Sequence, residues 1–225
     1  MGPSKIIKDY DPGYTPDKPD WCYSYIDVPN YDKMKTELLY LHNIPVNVQD
    51  NAYYANYSPA DAKKFCPTLC DYLKDIGLYD KLYTVMLSSK SLLPGYPTQS
   101  RIHIDTLTKR YIHSINIPLV DCDNTYTAWY KGTVRLIDNT TNPYIGSNAT
   151  PMMHFGVLDD DEATEICRAE TSRPMLVNTS IPHRGIHNCP TRVLACIRFI
   201  PDLSDDEIYR ITNYLKHMGV ENPFL

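Results

Sequence analysis

The sequence has none of the features that mark nucleic-acid-binding or membrane proteins. Its 225 residues contain no Lys/Arg run longer than two and carry a net charge of −5, so no basic surface for nucleic acid is expected. No stretch approaches the roughly 20 apolar residues that span a bilayer, and the N-terminal segment lacks the apolar core of a signal peptide. We therefore expect a soluble, cytoplasmic protein without nucleic-acid or membrane partners.

The cysteines and glycines also form none of the patterns that mark a metal-binding ribbon or a domain linker. The seven cysteines form no CxxC pair, which gives a zinc ribbon or a redox dithiol little support. The nine glycines form no Gly/Ser-rich linker, and 43% of the residues are hydrophobic, enough to bury one substantial core. We predict a single domain over 1–225.

The two ends of the chain have helical patterns. Residues 1–80 are predicted to form an N-terminal annex, with a helix from Tyr31 to His42 and another from Pro59 towards Ile76 that stops at Gly77. A C-terminal helix is predicted over 202–219, with Ser204 as its N-cap.

Between these ends, residues 82–200 contain short β-type runs separated by Pro, Gly and Asn: LYTVML, RIHID, YIHSINIPL, TYTAWY, TVRLI, PMLVN and VLACIRFI. Antiparallel strands flanked by helices favour a mainly β fold, a jelly-roll (double-stranded β-helix, cupin-like) barrel buttressed by helices.

One of these runs contains a candidate metal pair. In Arg101-Ile-His103-Ile-Asp105, strand alternation puts His103 and Asp105 on one face, with their Cα atoms about 6.6 Å apart. An imidazole and a carboxylate at that spacing can converge on one ion. A second histidine would complete a two-histidine, one-carboxylate face, which leaves coordination positions open on Fe(II).

A second motif lies at the far end of the β region, in Asn178-Thr-Ser-Ile-Pro-His183-Arg-Gly-Ile-His187-Asn-Cys-Pro-Thr-Arg192. Taken with the HxD and the intervening strands, this pattern resembles the Fe(II)/2-oxoglutarate-dependent oxygenase superfamily. In detail it resembles the aspartyl/asparaginyl-hydroxylase-like branch and its small microbial and phage members. The likeness covers about 82–200.

The resemblance implies that the iron is held by His103, Asp105 and a histidine of the second motif. If the residues after His187 form a four-residue turn, His187 pairs with Arg192 and His183 with Cys196. In the family a basic residue grips the far carboxylate of 2-oxoglutarate, so it must lie a co-substrate's length from the metal. On this reasoning His183 is favoured as the third ligand over His187.

Two arginines compete for the co-substrate. Arg192 and Arg198 share a strand face but lie about 20 Å apart, so they cannot both hold one small acid. Arg192 has the family's spacing after the ligand histidine and is favoured, while Arg198 is interpreted as a barrel-end salt bridge.

Further co-substrate contacts are predicted on the strand YIHSINIPL. Ser114 and Asn116 are preferred, because small polar side chains on a core strand need partners that a polar pocket supplies. His113, on the opposite parity, is kept as an alternative because the aspartyl-hydroxylase branch uses a histidine on this strand.

The resemblance implies a dioxygenase that uses Fe(II), 2-oxoglutarate and O₂ and hydroxylates an unactivated C–H, releasing succinate and CO₂. The implied substrate is an amino acid, a peptide or a small metabolite. Halogenating relatives lack the carboxylate ligand, so Asp105 favours hydroxylation. Two alternatives are a non-catalytic jelly-roll binding or phage structural protein, and a cupin metalloenzyme that does not use 2-oxoglutarate.

Overall fold

A computed structural model describes most of the chain, namely residues 5–6, 22–43, 54–91, 102–105, 113–137, 155–187 and 191–214. The structural statements below concern these residues.

The described residues form four α-helices: α1 (Tyr31–His42), α2 (Pro59–Phe65), α3 (Pro67–Asp75) and α4 (Asp205–Thr212), with a short 3-10 helix at Tyr79–Lys81. None of them is both long and apolar enough to cross a membrane.

The helix predictions are largely confirmed, with one break. The predicted helix from Pro59 is divided at Cys66, whose φ of −130° and ψ of 58° are not helical. The cause is Pro67, since proline disfavours the helical conformation in the residue before it. Gly77, with φ of +70°, follows the end of α3. Ser204 caps α4, and its Oγ accepts a hydrogen bond from the Glu207 amide; the last residues of the predicted C-terminal helix, 215–219, lie outside the described residues.

Thirteen strands account for most of the remaining described residues: β1 (Lys5–Ile6), β2 (Tyr23–Tyr25), β3 (Tyr54–Tyr57), β4 (Leu82–Ser91), β5 (Ile102–Ile104), β6 (His113–Val120), β7 (Thr125–Lys131), β8 (Arg135–Ile137), β9 (Phe155–Leu158), β10 (Thr164–Glu170), β11 (Met175–Asn178), β12 (His183–His187) and β13 (Thr191–Phe199). The N-terminal annex is thus not only helical, because β1, β2 and β3 extend the edges of the sheets.

The strands form two antiparallel sheets. One has the order β1-β8-β9-β5-β12-β7-β10, and the other has the order β2-β11-β6-β13-β4-β3. Within them β4 pairs with β13, β5 with β12, β6 with β11 and β7 with β10. This nested pairing is that of a long antiparallel ribbon wound into a jelly roll, which confirms the predicted fold class. The sheets do not close: β10 is an edge of the seven-stranded sheet, and β3 is an edge of the six-stranded sheet.

The six-stranded sheet separates two environments. Its outer face packs on the helices, where Ile115, Ile117 and Ile197 join Leu38 and Leu73 in the main core. Its inner face is turned to the other sheet, as shown by Met175 and Val177 packing with Trp129. On β13 and β6 the inner-face residues are mostly polar or thiol-bearing, namely Arg192, Cys196, Arg198, Ser114 and Asn116. We call the space between the two inner faces the interior.

The predicted hairpin after His187 is wrong. β12 pairs with β5 and β7, whereas β13 pairs with β4 and β6. β12 and β13 therefore belong to different sheets, although only residues 188–190 separate them in the sequence. Neither the expected pair of His187 with Arg192 nor that of His183 with Cys196 is formed.

We predict that Ile197→Ala lowers the free energy of unfolding by about 2–5 kcal/mol, because it leaves a cavity under the fully buried centre of β13. Urea unfolding followed by circular dichroism measures the change. Lys63→Ala, on the exposed side of α2, is the control and should change the value by less than about 0.5 kcal/mol. A loss below 1 kcal/mol for Ile197→Ala would contradict the packing described here.

Candidate metal centre

Antiparallel pairing of β5 with β12 brings two histidines together. His103 and His183 are register partners, and their rings lie 4.7 Å apart between centroids. Ile102, on the other face of β5, is fully buried in a separate apolar cluster. The alternation predicted for the HxD segment is therefore present, with the apolar side chain outward and the imidazole inward.

Asp105 completes the cluster. Its Oδ1 lies 3.3 Å from Nε2 of His103 and 3.9 Å from Nε2 of His183. One potential ligand atom from each of the three residues lies within 4.8 Å of the others. Ligands about 2.1 Å from a common ion and at right angles are about 3 Å apart, so small side-chain rotations suffice to enclose a cation. The structure thus brings together the three residues that the sequence proposed as ligands.

A backbone contact selects the tautomer of His183. Its Nδ1 lies 2.9 Å from the carbonyl oxygen of Ile181. Since a carbonyl can only accept, Nδ1 carries the proton and Nε2 keeps its lone pair directed at the cluster. Such a contact is a usual support for a metal-binding histidine.

The segment that precedes His183 also supports Asp105. The Asp105 amide donates to the carbonyl of Thr179 at 3.1 Å, and the Asn178 side-chain oxygen accepts from both the amide and the hydroxyl of Ser180. Trp129 Nε1 donates to the Asn178 carbonyl at 3.0 Å. One turn therefore sets the relative positions of both ligand elements. Sequence reasoning had no role for Asn178, although its side-chain bonding to a residue two positions on is a known turn signal.

The electrostatics of the cluster favour the metal-binding forms of Asp105 and His183. Burial raises the pKa of Asp105, but the Arg198 guanidinium and a hydrogen bond from His103 outweigh this and hold the pKa well below its ordinary value. Burial and the neighbouring His103 lower the pKa of His183 to about 4. At neutral pH the site therefore presents an ionised carboxylate and a neutral His183 imidazole.

The two inner-face arginines of β13 have different surroundings. Arg198 is buried and its Nη2 lies 2.6 Å from Oδ2 of Asp105, so the salt bridge predicted for it exists but is made with a candidate ligand. Arg192, six residues away, is only 4% exposed. Its Nε has no hydrogen-bond partner, and no carboxylate among the described residues forms an ion pair with it.

The other residues predicted to contact the co-substrate lie on opposite faces of β6. Ser114 and Asn116 are buried on the inner face, where the Ser114 hydroxyl donates to Asn116 Oδ1 at 3.0 Å. His113, the alternative, lies on the opposite face with Nδ1 3.3 Å from a carboxylate oxygen of Asp202, so the structure does not bring it together with Ser114 and Asn116. The parity of β6 could not be read from the sequence because both of its faces are buried.

His187 is separated from the cluster. It lies four residues along β12 from His183, is 3% exposed, and is the register partner of Thr125. It is not among the three residues whose ligand atoms converge.

No family model and no curated protein matches the chain. Several solved structures resemble it in fold at low identity. A non-haem monooxygenase, ThoJ in complex with nickel, has a TM-score of 0.43 and 11% identity, covering 82% of this chain and 75% of the other. A Pseudomonas putida prolyl-4-hydroxylase has a TM-score of 0.42 and 12% identity, covering 83% and 96%. HygX from Streptomyces hygroscopicus, with nickel and 2-oxoglutarate bound, has a TM-score of 0.43 and 10% identity, covering 83% and 85%.

We predict that His103→Ala, Asp105→Ala and His183→Ala each weaken binding of Mn(II) or anaerobic Fe(II) by about 100-fold or more. Loss of a residue that merely supports a ligand costs 10–100-fold, so loss of a ligand should cost at least as much. Isothermal titration calorimetry gives the affinities. His42→Ala, in the last turn of α1, is the control and should bind like the wild type; a similar loss in all four variants would contradict the site.

We predict a pH effect in the metal-free protein. Because the pKa of His183 is about 4 when folded and 6.5 ordinarily, the unfolded chain binds a proton more readily between these values. Stability therefore falls as pH decreases from 6.5 towards 4, by about 1–3 kcal/mol. Urea unfolding in a chelator at pH 7 and pH 4.5 measures this loss, which should be smaller in His183→Gln. Equal losses in the two proteins would show that His183 titrates normally.

Proposed function

We propose that this protein is an Fe(II)- and 2-oxoglutarate-dependent dioxygenase that hydroxylates an unactivated C–H of an amino acid, a peptide or a small metabolite. The observation that carries the proposal is Arg192: a buried guanidinium, with no carboxylate partner among the described residues, on the same inner strand face as the arginine that contacts the metal cluster.

The side chains of the cluster are of the types that bind Fe(II) in oxygenases. Two imidazoles and one carboxylate are the ligand set that binds Fe(II) on one side and leaves three positions for other molecules. When bound, the metal would supply the redox chemistry by which O₂ and 2-oxoglutarate yield succinate, CO₂ and a hydroxylated product. The protein's own residues bind, orient and shield the reactants.

The charges of the interior favour a dianionic ligand. Asp105 and Arg198 neutralise one another, and no described carboxylate pairs with Arg192, so within the part of the chain that the structure describes Arg192 remains a positive charge without an anionic partner. A divalent ion bound at the cluster adds two more. Buried charge is costly unless it is paired. A dicarboxylate carries two negative charges and would compensate two of these three positive charges.

The positions of Arg192 and the cluster agree with one ligand that reaches both. The Cys122 thiol donates to the carbonyl oxygen of Val193, the residue after Arg192, at 3.3 Å, and the positive charge of Arg192 opposes the rise that burial causes in the pKa of this thiol. The carbonyl of Cys122 accepts a hydrogen bond from Thr125, the register partner of His187. Arg192 is therefore at the His187 end of β12, roughly 13 Å from the His183 end. A guanidinium side chain and a five-carbon diacid together can span that distance.

Between these ends lie the polar groups of β6. With Asn116 Oδ1 accepting from Ser114, the amide N–H groups of Asn116 remain as donors for a carboxylate or a substrate group. Asn116 is the register partner of Cys196, which lies between Arg192 and Arg198 on β13. We infer that Ser114 and Asn116 contact the co-substrate.

We predict that anaerobic addition of Fe(II) and then 2-oxoglutarate produces the weak visible charge-transfer band of the chelate. Arg192→Ala should still bind Fe(II), but the 2-oxoglutarate concentration that gives half of the band should rise at least about 30-fold. The reason is that losing a buried charge partner costs about 2 kcal/mol or more. Arg192→Lys should be intermediate, since it keeps the charge but not the fork. Arg184→Ala, on the outer face of β12 where Arg184 pairs with Asp160, is the control.

The experiment also separates the alternatives. A jelly-roll protein that only binds metal would take up Fe(II) and show no band at any concentration of 2-oxoglutarate, which would overturn the proposal. A cupin metalloenzyme that acts without 2-oxoglutarate would likewise show no band and would release no succinate with any substrate. Equal 2-oxoglutarate affinity in the wild type and Arg192→Ala would remove Arg192 from its proposed role.

A further inference from the structure

The two carboxylate oxygens of Asp105 have different surroundings. Oδ1 is turned to the histidines, 3.3 Å from Nε2 of His103 and 3.9 Å from Nε2 of His183. Oδ2 is turned to the opposite sheet, where Nη2 of Arg198 lies 2.6 Å away. This distance is that of a short, charge-assisted hydrogen bond, so only one oxygen is directed at the cluster.

Arg198 is held firmly enough to fix this orientation. It lies on β13 between two strands, paired with Thr84 of β4 and Ser114 of β6. The flanking residues Ile197 and Phe199 are fully buried on the outer face. Neither strand neighbour can shift without disturbing the main core, and the guanidinium side chain itself is only 8% exposed.

We propose that Arg198 is a positioning residue that restricts Asp105 to binding a metal ion through Oδ1 alone. A carboxylate can bind an ion through one oxygen or through two. Bound through both, Asp105 and the two histidines would fill four positions of an octahedral ion and leave two. By holding Oδ2, Arg198 keeps the third position open.

This third position matters if the proposed function is correct, because 2-oxoglutarate chelation uses two positions and O₂ needs one more. The restriction on Asp105 itself requires only that a metal bind at the cluster. It also excludes Arg198 from gripping the far carboxylate of the co-substrate. That carboxylate must lie a co-substrate's length from the ion, whereas Arg198 contacts a ligand of the ion directly.

The test counts exchangeable water on Mn(II) bound to the full chain, without 2-oxoglutarate, by water-proton relaxation. We expect three waters in the wild type and two in Arg198→Met, in which Asp105 is free to bind through both oxygens. Arg198→Gln keeps a donor for Oδ2 and should restore three. Arg184→Met, which removes an arginine next to His183 but on the outer face of β12, is the control and should keep three.

A second measurement does not depend on any Arg198 variant folding. The infrared difference spectrum of the wild type against Asp105→Asn, each with Mn(II), reports the splitting of the carboxylate stretches, which is larger for one-oxygen than for two-oxygen coordination. One-oxygen coordination in the wild type together with one water fewer in Arg198→Met supports the proposal. A two-oxygen pattern in the wild type, or three waters in a folded Arg198→Met, overturns it.

The outcomes are distinct from those that test the proposed function. Three waters in the wild type, with the loss of one in Arg198→Met but no charge-transfer band with 2-oxoglutarate, would uphold the role of Arg198 and refute the oxygenase. If Arg198→Met keeps three waters and instead loses affinity for 2-oxoglutarate, Arg198 binds the co-substrate and the positioning role is wrong. If Mn(II) does not bind at these residues, both proposals fail.

Discussion

The pairing of β5 with β12 is the constraint on which the candidate site depends. It places His103 directly opposite His183, although the two residues are far apart in the sequence. The pairing exists because eight strands, β4 to β7 and β10 to β13, fold as one long ribbon in which the second, β5, must meet the seventh, β12. Pairing two strands that are so far apart in the sequence costs loop-closure entropy. The extensive strand and helix contacts of the other sheet offset this cost. The cluster of candidate metal ligands is therefore a product of the whole topology and not of a local motif.

One strand, β13, serves both stability and chemistry. Its outward residues, among them Ile197 and Phe199, fill the core between the sheet and the helices, while its inward residues carry the two buried arginines. Because strand alternation separates the faces completely, apolar burial can hold the backbone rigid while charged groups stand on the other side. This arrangement suits a site that needs guanidinium groups at set positions in a place where water is scarce.

Much of this structure could be predicted from the sequence, and the parts that could not have a common cause. The helix from Tyr31, the cap at Ser204 and the jelly-roll class follow from local patterns, and the convergence of His103, Asp105 and His183 follows from alternation combined with the family resemblance. The break at Cys66 also has a local cause that the sequence contains, namely Pro67, although the predicted helix ran through it. By contrast, the sheet assignment of β13 and the contact of Arg198 with Asp105 depend on which strands face each other. No local pattern carries that information.

The ion pair of Asp105 with Arg198 also reconciles two requirements that conflict. A buried carboxylate poised for a metal would destabilise the metal-free fold if it were alone, yet a partner that neutralised it fully would weaken its attraction for a cation. Arg198 engages only Oδ2 and leaves Oδ1 towards the histidines, so the metal-free protein has a paired charge and the cluster keeps an anionic donor. Among the described residues, the positive charge without a carboxylate partner then resides on Arg192, away from the candidate ligands. In the proposed function, the cation and a dicarboxylate would thus bind at separate ends of the same interior, and each would relieve a charge that the other leaves uncompensated.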